Sequence, residues 1–261
     1  MDSLPSSPSL PNLRELGGWT VAGGKTFASG ILFRSAAPID PRVRTDPAVT
    51  NLGLEFVVDL RTASEAEGKP DILPPNAHLR SIDILGGAPG SAAAIPGQPT
   101  EEMAKMIASL TLDAAHEKMM ETYRDLVSND VAAAGYASLI RIVLEAEGAP
   151  VLYHCTAGKD RTGWATAILM SAAGVPYDSV LAEYLSVNPA VRALFEPLAA
   201  RFLSAGLSPE IADELISVQK SYLDTAFAEV DAHFGGFEGY LRDGLGLDAS
   251  ELADLRNLLT R

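Results

Sequence analysis

The order of apolar and polar positions divides the chain into a strand-rich first part and a helical remainder. Leu54-Glu55-Phe56-Val57-Val58-Asp59-Leu60 is an apolar run of the kind expected in the middle of a buried parallel sheet. Shorter β-prone runs lie at Trp19–Ala22, Lys25–Phe27 and Ile31–Phe33, and Gly23-Gly24 between the first two predicts a hairpin or short meander. Further strands are expected at Leu79–Ile82 and Val151–His154. Thr100, Met103, Met106, Ile107 and Leu110 recur at helical spacing, and Ala137–Ala146 gives a second such run that Gly148-Ala149-Pro150 stops. A helix over Arg161–Ala173 is closed by Gly174 and Pro176. Residues 177–261 read as almost wholly helical, broken at Asn188-Pro189, Gly206–Pro209 and Gly235-Gly236. The Pro- and Ser-rich residues 1–11 predict a loosely held lead-in, and Gly86–Pro99 a flexible loop. Strands first and helices after imply one α/β domain over residues 1–261, with a central, mainly parallel sheet flanked by helices and a large C-terminal helical cap.

Composition narrows the functional classes. A formal net charge of −14 argues against broad nucleic-acid binding, which needs a basic surface. It leaves room for a phosphorylated substrate, because a local pocket can be positive on an acidic protein. Cys155 is the single cysteine, so neither an intramolecular disulfide nor a multi-cysteine metal site can form. A lone thiol suits a reducing compartment. The first residues lack a basic start followed by an apolar run, and no apolar stretch is long enough to span a bilayer. A cytoplasmic protein without stable membrane insertion is the expectation, with signal-less export left open.

The chemistry concentrates in His154-Cys155-Thr156-Ala157-Gly158-Lys159-Asp160-Arg161-Thr162-Gly163. This segment follows a strand and opens a helix, so backbone N–H groups and the helix dipole favour a thiolate at Cys155. Successive amides over Thr156, Ala157, Gly158, Lys159, Asp160, Arg161 and Thr162 form a candidate nest for phosphate oxygens. Arg161 can grip two of those oxygens as a fork. Gly158 allows a tight curl, Gly163 allows the helix to pack close to the sheet, and the Thr162 hydroxyl can donate to the sulfur. The implied reaction is covalent: Cys155 attacks phosphorus, a general acid protonates the leaving oxygen, and water hydrolyses the cysteinyl-phosphate. No metal ligand set or cofactor motif accompanies it, and none is expected.

HCTAGKDRTG resembles the active-site loop of the protein-tyrosine-phosphatase superfamily, and its Lys-Asp pair resembles the bacterial and fungal branch typified by a secreted mycobacterial phosphatase. Asn12-Leu13-Arg14-Glu15-Leu16-Gly17-Gly18 is similar to the branch's NxRDxGG element, and Leu32-Phe33-Arg34-Ser35 to its LFRS strand. Asp59-Leu60-Arg61 with Glu65 is similar to DLRxxxE, and Gly239–Leu247 to the YLRDxLGL segment. The resemblance implies Cys155 as nucleophile and Arg161 as phosphate clamp, with Lys159 and Asp160 biasing substrate choice and proton handling. It also implies a lid of paired helices, for which residues 188–222 are the candidate, with an apolar stripe of Leu194, Phe195, Leu198 and Phe202.

The general acid is open. Neither Trp19 nor Trp164 is followed by Pro-Asp, and the stretch before Cys155 where an acid loop is expected reads as helix around Met119–Tyr123. Asp160, inside the loop, and Asp83, at the end of the Leu79–Ile82 strand, are the two candidates. Asp71 follows Pro70 with nothing local to bring it to the site. Arg34, Asp59, Arg61 and Glu65 are expected to form a buried ion-pair network beneath the loop, and His154 to orient the loop by hydrogen bonds. The leading function is a protein-tyrosine phosphatase, with dual or broad specificity allowed, acting on a phosphorylated protein and releasing inorganic phosphate. A phosphoinositide phosphatase is the alternative: Lys159 favours it, while Thr156 in place of a second basic residue and the lack of a polybasic patch weaken it. A non-catalytic phosphate-binding module is the minor alternative, opposed by the intact Cys155, Arg161 and Thr162.

Overall fold

The computed structural model describes residues 7–86, 109–204 and 206–261. The expected helix at Thr100–Leu110, all but its last two residues, and nearly all of the Gly86–Pro99 loop lie outside these described residues. The strands are β1 (Arg14–Glu15), which no apolar run predicts, and β2 (Leu32–Ser35), β3 (Phe56–Asp59), β4 (His78–Ser81) and β5 (Val151–His154), which fall on predicted runs. They make one sheet in the order β1-β2-β5-β3-β4, parallel throughout except for the antiparallel β1–β2 pair.

Period-two alternation explains why the central strands read as continuous apolar runs. Phe56, Val58, Val151 and Tyr153 face the larger core, while Val57 and Leu152 face a second cluster with Leu10, Leu13, Phe33, Val43, Val49 and Leu54. Both faces are covered, as a parallel sheet requires. The edge strand β4 is the exception, largely exposed along its length.

On the larger face lie α3 (Leu112–Ser128), α4 (Asp130–Glu145) and α5 (Asp160–Ala172). Short helices α1 (Pro47–Thr50) and α2 (Ala63–Gly68) precede them. The helical remainder continues with α6 (Tyr177–Leu185), α7 (Asn188–Leu194), α8 (Glu196–Ser204), α9 (Pro209–Ile216) and α10 (Lys220–Phe234). It closes with α11 (Phe237–Gly239), a π turn at Tyr240–Gly244 and α12 (Ala249–Leu259). Trp164 of α5, fully buried, anchors this part: its ring meets Phe227 of α10 edge-on at 5.3 Å, and its indole N–H donates to the Tyr240 hydroxyl at 3.2 Å. Among the described residues, no single helix is long and apolar enough to cross a membrane.

Two expectations are refined. The Gly23-Gly24 turn does form, as a 3₁₀ turn between bridged Thr20 and Thr26, but the element then pairs with the chain's C-terminus through Phe27 and Thr260. Residues 7–11 are not loosely held. Asp46, at the N-cap of α1, accepts from Ser7 Oγ (2.5 Å) and Ser9 Oγ (2.6 Å), and Leu10 is fully buried. The serines that made the segment look loose are donors to a carboxylate that is otherwise capping a helix.

Candidate active site

In register, Ser35, His154 and Asp59 end β2, β5 and β3 side by side. The next residue, Cys155, therefore leaves the C-terminal edge of the sheet between two parallel neighbours, the usual place for a site in an open α/β sheet. It is 3 % exposed. The chain then curls through Gly158 and enters α5 at Asp160. Gly158 has φ +66, and a Cβ there would lie 2.2 Å from the Ser35 carbonyl oxygen, so both its conformation and its closeness to β2 exclude a side chain. At Gly163 a Cβ would meet the Tyr184 ring of α6 at 3.1 Å, so the close packing expected here is against a helix and not the sheet.

Arg161 is fully buried and held as a fork by Glu65, with Nη1 donating to Oε2 and Nη2 to Oε1, both at 2.8 Å. Nη1 also donates to the Leu60 carbonyl at 3.2 Å. Local sequence explains the position of Glu65. Thr62-Ala63-Ser64-Glu65 forms a capping box at the start of α2, with Thr62 N donating to Glu65 Oε2 at 2.9 Å. Glu65 accepts in addition from the Thr156 hydroxyl at 2.6 Å. Burial pushes the Glu65 carboxyl up, but the hydrogen bonds and charge of Arg161, with help from Thr156, outweigh it and hold the group at about 2. Arg161 is correspondingly raised: burial opposes its charge, while Glu65 and the nearby Cys155 favour it.

A second layer lies behind this pair. Arg61 donates to Asp59 Oδ2 (2.8 Å) and to Asp71 Oδ1 (2.6 Å), and Asp71 Oδ2 lies 3.1 Å from His154 Nε2. His154 Nδ1 is 3.0 Å from the Cys155 carbonyl oxygen, so the ring spans from Asp71 to the loop, as its expected orienting role requires. Asp59, Asp71 and His154 place three metal-type ligand atoms within 4.8 Å of one another. The cation lodged against both carboxylates is the Arg61 guanidinium.

Arg34 does not belong to this network, contrary to the sequence expectation. It lies on β2, on the other side of the loop, where Nη1 donates to Glu183 of α6 at 2.8 Å and Nη2 to the Gly158 carbonyl at 2.6 Å. Glu183 also accepts from Arg14 Nε (3.1 Å) and Nη2 (2.8 Å). Burial works against the Glu183 charge, but Arg34 and Arg14 together hold its carboxyl below the usual range. The sequence carries no sign of Glu183, sets Asp71 aside, and offers Asn12 only as part of a motif. The available signal was indirect: Arg14 and Arg34 stand at buried strand positions, which calls for a carboxylate partner somewhere in the fold.

The two acid candidates separate. Asp160, 5 % exposed, accepts from the Tyr123 hydroxyl of α3 at 2.9 Å, and Tyr123 accepts from Tyr184 at 2.6 Å. Both phenols are pushed well above their ordinary range, first by burial and then by the Asp160 charge. Asp83 instead closes a turn, accepting from the Leu85 amide at 3.0 Å. Lys159 donates to the Leu215 carbonyl at the end of α9 at 2.8 Å and lies 3.4 Å from Asp160 Oδ2. The Thr162 hydroxyl, expected to reach the sulfur, is buried with no hydrogen-bond partner among the described residues. Over residues 188–222, Phe202 packs with Leu207, Ala212 and Ile216 in a cluster of its own that Phe195 and Leu198 join, while Leu194 and Phe195 touch the main core.

A strand, a glycine-turned loop that follows a buried cysteine, and a buried arginine at the helix start define a phosphatase-like site. The sequence model of the tyrosine phosphatase family matches residues 5–261, and the chain belongs to that family. It is 32 % identical over 245 residues to a putative tyrosine-protein phosphatase of Cupriavidus necator, covering 94 % of this chain and 85 % of that one. It is also 32 % identical over 158 residues to the triple specificity protein phosphatase PtpB of Mycobacterium tuberculosis, covering 56 % of each. A tyrosine-protein phosphatase of Nostoc commune is 27 % identical over 85 % of this chain and 75 % of its own length.

Proposed function

We propose that this tyrosine phosphatase works through a cysteinyl-phosphate and takes phosphotyrosine as its first substrate class, with phosphoserine and phosphothreonine as secondary ones. The observation that carries this reading is the placement of Cys155 at the end of the central strand, beside an Arg161 whose position is fixed by Glu65. In the first step Sγ attacks phosphorus, the P–O bond to the leaving group breaks, and that oxygen takes a proton from Asp160. In the second, water attacks phosphorus, the P–S bond breaks, and the thiolate and inorganic phosphate are released. Arg161 and the loop amides face the equatorial charge of both transition states. Residues 188–222 cover the loop in this reading, tied to it through Lys159 and Leu215. The whole chain acts as one phosphatase unit in a reducing, cytoplasmic setting.

The relative named as a triple specificity phosphatase supports a breadth beyond phosphotyrosine. The phosphoinositide alternative calls for the Lys159 charge in the pocket; its engagement with Leu215 and Asp160 weighs against that use. The position inside the loop favours Asp160 over Asp83 as the acid, since Asp83 is engaged in closing a turn.

A panel of phosphotyrosine, phosphoserine, phosphothreonine and phosphoinositide substrates, run with wild type and Cys155→Ser, tests the proposal. Turnover that survives Cys155→Ser removes the covalent mechanism, and phosphoinositide turnover above phosphotyrosine reverses the substrate order. Asp160→Asn is expected to slow alkyl phosphates more than aryl phosphates, because poor leaving groups need the proton most, whereas Asp83→Asn leaves their ratio unchanged.

A further inference from the structure

The Asn12–Gly18 element has no task in the chemistry above. We propose that Asn12 is a positioning residue for the anion loop: it holds the loop's two central carbonyls outward, so that the amides following them face the bound phosphate. This rests on reading the loop as an anion nest.

Four observations converge on Asn12. Its φ is +60, in the left-handed region where non-glycine residues are rare and asparagine is among the most tolerant. Such outliers persist where the surroundings enforce them, often at functional sites. The residue is only 9 % exposed. Its Nδ2 donates both to the Ala157 carbonyl (2.9 Å) and to the Gly158 carbonyl (3.0 Å). Its Oδ1 accepts from Arg14 Nη1. That last bond settles the orientation of the amide: the reverse would set NH₂ against a guanidinium and oxygen against two carbonyl oxygens.

Peptide geometry converts these contacts into a statement about the nest. The described residues contain no cis peptide, and in a trans peptide the C=O and the following N–H point in opposite directions. Drawing the Ala157 and Gly158 carbonyls toward Asn12 therefore turns the Gly158 and Lys159 amides away from it. Arg34 reinforces the second of these by donating to the same Gly158 oxygen at 2.6 Å. The Thr156 carbonyl is held from outside in the same manner by the Ala37 amide at 3.1 Å, and the Cys155 carbonyl by His154 at 3.0 Å. Asn12 serves the two peptides at the apex, where the loop turns through Gly158. Glu183, by fixing Arg14 and Arg34, sets the support for both donors.

Asn12→Gly and Asn12→Asp separate positioning from folding. Glycine accepts φ +60 without steric strain and removes both donors, so this variant is expected to keep its fold. Aspartate keeps the shape and the Arg14 contact but sets oxygen against the two carbonyls. Orthovanadate affinity, measured on the native fraction, and kcat/KM for p-nitrophenyl phosphate are both expected to fall about 10- to 100-fold in each variant. In wild type, vanadate is expected to slow hydrogen exchange at the Gly158 and Lys159 amides. Unchanged vanadate affinity in Asn12→Gly, or no protection of those two amides in wild type, overturns the inference. A wild type that binds no vanadate, or turnover that survives Cys155→Ser, overturns the reading of the loop itself and the inference with it.

Discussion

The loop is held from two sides by buried ion pairs, and the two sides differ in what they grip. On the β2 side a single carboxylate, Glu183, serves two arginines, and the surplus positive charge is turned onto oxygen dipoles: the Gly158 carbonyl from Arg34 and the Asn12 side chain from Arg14. On the β3 side three carboxylates, Glu65, Asp59 and Asp71, surround two arginines, and one of those arginines, Arg161, is the clamp proposed above. The first arrangement shapes backbone; the second aims a side chain. Buried charge is costly unless paired, so each side is stable only as a complete set. The lesson is that similar networks can divide labour, one setting where amides point and the other where a guanidinium sits.

The division breaks most visibly at Glu183. Glu183→Gln leaves Arg14 and Arg34, with side chains 9 % and 0 % exposed, without their shared counter-charge. Removing one partner of a buried pair costs about 3–5 kcal/mol, so a large drop in the urea midpoint is expected at neutral pH. A midpoint close to wild type would mean that the β2 side is not the structural member of the pair.

At Glu65 the balance should reverse, with a smaller loss of stability and a larger effect on chemistry. Glu65→Gln keeps the capping-box geometry but weakens the fork on Arg161, and kcat/KM is expected to fall about 10- to 100-fold. The pH dependence follows from the sign of the shift. The folded carboxyl sits at about 2 against an ordinary 4.5, so its contribution to stability is full above pH 4.5 and is lost as pH falls towards 2. Wild type should therefore lose urea stability more steeply than Glu65→Gln across that window. Parallel pH curves would show that the carboxylate does not hold its charge by pairing with Arg161.

How much of this was legible in the sequence depended on distance along the chain. The β3 strand was visible because Phe56, Val57 and Val58 are apolar on both faces of a parallel sheet, and the loop was visible because strand, Gly158 and helix start are contiguous. The Thr62–Glu65 capping box is also a local signal, though its outcome, a grip on Arg161, is not. Glu183 lies 149 residues from Arg34 and 169 from Arg14, and Asn12 lies 146 from Gly158. No periodicity links such positions, so the sequence alone groups Arg34 with Asp59, Arg61 and Glu65 instead of with α6. Asp71 had no signal beyond a preceding proline, and Tyr123 read only as part of a helix, because a buried phenol on an apolar face looks the same whether or not its hydroxyl meets a carboxylate.

The smallest expected effect lies where the loop meets the helical remainder. Lys159 is 3 % exposed, and its ammonium links the loop to the Leu215 carbonyl of α9 while lying beside Asp160. Unlike the arginines on either side, it joins the loop to a helix, α9, that both sheet networks leave alone. Lys159→Met keeps the aliphatic stem and removes a charged hydrogen bond, a loss of about 1.5–3 kcal/mol for a group this buried, offset in part by relief of its desolvation. Global stability should therefore fall little. The change should instead appear locally, as faster hydrogen exchange in Pro209–Ile216 with exchange in β3 and β5 unaltered. If exchange in α9 stays at the wild-type rate, Lys159 does not tie that helix to the loop, and the cluster of Phe202, Leu207, Ala212 and Ile216 holds it in place without the loop's help.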